Sequence, residues 1–112
     1  MAIKFEELHN KLFHNPLSKD ELSIVDSVEN YLDKKLTLEY VGGDVLINLE
    51  IVDFKLDPVS MSYRQVAKPR MKLMREELLK RYDLAGWECF EKIADENDRY
   101  GRDWMVFRCK NL

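Results

Sequence analysis

The chain has 112 residues, of which 46% are apolar and 35% charged, with a formal net charge of −3. That size and composition predict a single globular domain spanning 1–112. They exclude a disordered chain and a collagen-like one, and the net charge argues, on average, against a general polyanion binder. No apolar run approaches the roughly 20 residues a membrane helix needs, so no membrane partner is expected and the cytoplasm is the expected location.

Residues 2–13 read as a short helix, with Phe5, Leu8, Leu12 and Phe13 at helical spacing, ended by Asn15-Pro16. Ser18, with Glu21 three residues on, has capping-box spacing and starts a second helix. Its apolar stripe runs through Leu22, Val25, Val28 and Leu32. From Leu36 the pattern alternates, which predicts a strand over 36–41, a turn at Gly42-Gly43-Asp44 and a return strand from Val45. A change of phase near Ile51–Val52 predicts a bulge or a strand end there. Pro69 suits the first turn of a third helix, whose stripe is Met71, Met74, Leu78 and Tyr82 and which Gly86 stops as a left-handed cap.

The remaining chain alternates as a hairpin. Pairing about a centre near Arg99 sets Cys89 opposite Cys109, and any register shifted by two keeps both on one face. The expected order is thus α-α-β-β-α-β-β: an α+β domain with an antiparallel sheet packed against helices.

Two cysteines outside any C-x-x-C pair read as structural thiols, with a cross-strand bridge left open. His9 and His14 are five apart, not the i, i+4 spacing that sets two imidazoles on one helical face for zinc. No P-loop, G-x-G-x-x-G, G-x-S-x-G or H-E-x-x-H occurs. Residues 95–103 are oxygen-rich, but Arg99 stands where a calcium loop wants a ligand and no glutamate closes it, so a solvated hairpin tip is expected. No catalytic residue, metal or cofactor is assigned, and the chain is read as a non-enzyme.

Two surfaces stand out. The second face of the hairpin carries Phe90, Trp104 and Val106, too apolar for water alone, and reads as a contact for a protein partner or a second copy. Charge resolved along the chain is −6 over residues 1–63, +5 over 64–82 and −2 over 83–112. The basic segment offers Arg64, Lys68, Arg70, Lys72 and Arg75 beside Tyr63 and Tyr82, the alternative reading being a nucleic-acid surface. The passage from a Lys/Glu-rich helix through Ala85-Gly86-Trp87 to Trp104-Met105-Val106-Phe107 resembles small accessory proteins of phages and mobile elements, which implies an inhibitor or assembly role.

Overall fold

The computed structural model describes residues 2–94 and 102–110. The chain is α+β: helices pack on one face of a three-stranded antiparallel sheet. Helix α1 (Phe5–His9) continues without a break into a π-helical turn over Asn10–His14. The long helix α2 spans Lys19–Glu39. Strand β1 (Val45–Asn48) runs straight into the single turn α3 (Leu49–Val52). An irregular segment leads to α4 (Lys68–Leu84), and β2 (Trp87–Lys92) and β3 (Trp104–Cys109) complete the sheet. The strand order is β1-β3-β2.

The capping box at the start of α2 forms as expected. Ser18 Oγ accepts from the Glu21 backbone N–H at 3.1 Å, and Glu21 Oε1 accepts from the Ser18 N–H at 3.0 Å. Where a strand was expected over 36–41, residues 36–39 are instead the last turn of α2, with Tyr40 as its C-cap. Leu36 is buried and extends the stripe of Val25, Val28 and Leu32 in phase, whereas Leu38 is 83% exposed. A strand would have put Leu36 and Leu38 on one face, so burial decides for the helix. Lys35 and Glu39 pair at i, i+4, and Thr37 Oγ1 donates to the Asp33 carbonyl, both along the helix. Gly42-Gly43 therefore joins α2 to β1 and turns no hairpin; β1 finds its partner in β3, with Val45 opposite Phe107 and Ile47 opposite Met105.

The phase change after β1 has a specific origin. Asn48 Oδ1 accepts from the Glu50 N–H and caps α3. The turn then ends in a Schellman arrangement: Lys55 N–H donates to the Glu50 carbonyl and Phe54 N–H to that of Ile51. Phe54 holds the left-handed position (φ 63) that usually goes to glycine. Burying its ring completely offsets that cost. A strand end, one of the two expected alternatives, is what occurs, three residues earlier than Ile51.

α4 begins with Pro69 in its first turn and ends at Gly86 (φ 98), as its sequence predicts. Its inward residues Met74, Leu78 and Tyr82 meet Val25, Val28, Leu32, Ile47, Met105 and Phe107 in one contiguous core. The C-terminal strands pair with Trp87 opposite Cys109 and Cys89 opposite Phe107. The register is thus offset by two from a centre at Arg99. Both thiols stay on the inner face, but they are not opposite each other and both are free. Residues 95–101, most of the hairpin tip, lie outside the described residues.

Candidate functional site

Inner residues of the sheet belong to the core; the outer ones do not. Across the outer face, Leu46, Val106 and Phe90 form one row, and Asn48, Trp104 and Lys92 form the next. Arg108 stands beside them, bound through Nε and Nη2 to the two carboxylate oxygens of Asp44 (both 2.9 Å), with its guanidinium 4.8 Å from the Phe90 ring centre. The face expected at Phe90, Trp104 and Val106 is therefore one continuous patch with a charged rim. Val106 is only 2% exposed, so its neighbours already fill that row. The part of the patch open to solvent is the half-exposed edges of Phe90 and Trp104, with Leu46.

A more exposed set of apolar residues lies at the other end of the chain. No residue of α1 or of the π turn is buried, and Phe5 is 78% exposed. Phe5 stacks on His9 at 5.6 Å between ring centres, and His9 meets Phe13 at 4.8 Å and His14 at 5.0 Å. The π turn explains this ladder. Wider winding after His9 brings Phe13 back under Phe5, where a continuing α-helix would carry it round the side. Spacing reads Phe5, Leu8, Leu12 and Phe13 as one apolar stripe of a helix; in the structure Phe5, Leu8 and Phe13 are exposed. Periodicity shows that a face is apolar but not what it packs against.

The basic segment divides by residue type. Arg70, 8% exposed, is turned inward: Nε and Nη2 grip the Glu21 carboxylate at 2.9 and 2.7 Å. Its other hydrogen bonds go to the carbonyls of Lys11, Asn15 and Pro16, which the end of the π turn leaves open. Arg75 bridges Asp53 and Glu91, Arg64 lies 3.5 Å from Asp57, and Arg81 binds Asp26, Glu29 and Glu77. Every arginine of the segment thus meets an acidic group from elsewhere in the fold. The lysines differ. Lys68 and Lys72 are exposed and have no ion pair among the described residues. They line a groove of about 240 Å³ with Met71 and Arg75 of α4 and with Asp53 and Lys55 from the end of α3.

This arrangement is electrostatically unfavourable for the chain alone. Lys68 and Lys72 are like charges at i, i+4, which costs about 0.2–0.5 kcal/mol. They also stand at the positive end of the α4 dipole, where the first turn holds no acidic residue and Ala67 supplies no capping side chain. Asp53 is the one carboxylate lining this groove; partial burial raises its pKa, and Arg75 and Lys55 pull the other way.

Asp53 and Lys55 also line a neighbouring cleft of about 480 Å³, which reaches Glu50, Tyr63 and Asp103. Tyr63 Oη donates to Glu50 Oε2 at 3.1 Å on one wall, and Met61, with φ 57, lies on another. Among the described residues no three His, Cys, Asp or Glu side chains converge as metal ligands, and no described helix is long and apolar enough to cross a membrane. No protein-family model, curated protein or solved structure matches this chain.

Proposed function

We propose that the protein is a non-enzymatic, cytoplasmic binding module that docks onto another protein chain, a second copy of itself included, as an accessory factor. The exposed aromatic ladder of α1 carries this reading. A helical segment this short is marginal in water without tertiary support, yet it turns Phe5 and Phe13 outward. Contiguous exposed apolar patches larger than a few hundred Å² mark interaction sites. The two phenylalanines alone expose on the order of 250 Å², against roughly 800 Å² per partner in a standard interface. The ladder is therefore the centre of a larger contact, and the patch of Phe90, Trp104 and Leu46 is a second apolar surface available to it.

The nucleic-acid reading over residues 64–81 keeps its lysines and loses the free charge of its arginines. What remains is a compact cationic groove, without the long basic track that follows a phosphate backbone.

The test compares the wild-type protein with Phe5→Ser/Phe13→Ser and with Phe90→Ser, by sedimentation for self-association and by co-purification for a different partner. The reading expects the ladder variant to lose the associated chain while its melting temperature stays put. Equal association by wild type and ladder variant would contradict it.

A further inference from the structure

We propose that Lys55, Lys68 and Lys72 form a binding site for a phosphate group, in the groove between the end of α3 and the first turns of α4. Lys68, Lys72 and Arg75 stand at i, i+4 and i+7, one stripe of the helix, and Lys55 lines the groove with them. Each arginine of the segment already has a carboxylate partner, whereas these three lysines have none among the described residues. The chain thus supplies partners for its planar, bidentate cations and leaves the point charges of this groove unpaired. Lysine binds phosphate as a point charge and needs no matched fork, so unpaired lysines suit such a ligand.

The groove's single carboxylate, Asp53, is held by Arg75 Nη1 at 2.6 Å, and Arg75 is held in turn by Glu91. Arg75 is shared by two carboxylates, so that triad carries a formal −1, and the three lysines bring the groove and its rim to a formal +2. A volume of about 240 Å³ gives room for a phosphoryl or pyrophosphoryl group with its hydration. The site uses no residue of the α1 ladder or the outer sheet face, so it stands or falls independently of the protein-binding reading.

The probe is sodium pyrophosphate at low ionic strength, followed by amide chemical shifts, with a short single-stranded oligonucleotide as the second arm. Saturable shifts centred on residues 55 and 68–75 are expected. In Lys55→Gln/Lys68→Gln/Lys72→Gln, affinity for pyrophosphate should fall about tenfold, given three solvent-facing charge pairs of modest strength each. The control Lys4→Gln/Lys34→Gln/Lys80→Gln, which removes the same charge elsewhere, should stay within about twofold of wild type. Without anion the groove variant should melt slightly above wild type, because the like-charge contacts are gone; this also confirms that it folds. Tighter binding of the oligonucleotide than of pyrophosphate, lost in the same variant, would assign the phosphate to a nucleic-acid backbone; the reverse order assigns it to a free anion. No shifts at residues 55 and 68–75 with either probe, or equal loss in the control variant, would overturn the site.

Discussion

Arg70 shows how far a basic residue can be from the surface its neighbours suggest. Its guanidinium closes the end of the N-terminal helical segment and pairs with Glu21, which the capping box already holds in place. Removing Arg70 leaves the partly buried Glu21 carboxylate and three backbone carbonyls without their donor, so Arg70→Ala should cost about 2 kcal/mol in urea unfolding. A loss below about 0.5 kcal/mol, usual for a surface site, would place Arg70 in water. The same pair gives a pH signature. Hydrogen bonds from Arg70 above all, with Ser18 adding, hold the Glu21 carboxyl down at about 2 against an ordinary 4.5. The folded value is the lower one, so the stabilisation is complete above about 4.5 and drains away as pH falls towards 2. Melting temperatures followed across that window should drop less steeply in Arg70→Met than in wild type. Cys89 makes a chemical counterpart: burial pushes its thiol up to about 12, so thiol reagents at pH 8 should label it only after unfolding, as peptide mass mapping would show.

At the scale of elements, cues that are local and chemically specific survived folding intact. The Ser18–Glu21 box, Pro69 and Gly86 each fix a helix end through the backbone itself, so no distant contact was needed to read them. The segment from Leu36 to Phe54 was legible only in part. Its apolar residues satisfy both a two-residue and a helical period over short stretches, and what separates them is which side the core lies on. Leu36 and Leu38 make the distinction measurable. Leu36→Ala should cost about 2–5 kcal/mol, a typical price for a buried leucine, and Leu38→Ala should stay within about 0.5 kcal/mol. Equal losses at both positions would support the strand. Phe54 was opaque for a related reason, since glycine is the usual sign of a left-handed cap. Phe54→Gly relieves the backbone but empties the core beneath α3, and a net loss near 3 kcal/mol is expected because the ring outweighs the strain.

Across the whole molecule, the division of charge seen along the chain reappears as contacts in the fold. Acidic groups of α2 and of the end of α3 meet Arg70, Arg75 and Arg81 and so join the N-terminal and C-terminal halves, while Asp57 and Glu91 pair with Arg64 and Arg75 from nearer in the chain. Composition could show that such a match was available but not that arginine would take it and lysine would not. The apolar surfaces follow a similar course. The outer sheet face was visible in the alternation of the hairpin, whereas the ladder of α1 depends on a π turn that has no sequence mark and on the lack of any described element above it. Docking through that ladder is the central claim. Its most direct test is photo-crosslinking in the cells that make the protein, with benzophenone side chains placed singly at positions 5, 13 and, as a control no less exposed, 59. The account predicts one adduct of discrete mass, common to positions 5 and 13 and missing from 59. No adduct at 5 and 13, or the same adducts at all three positions, would contradict it.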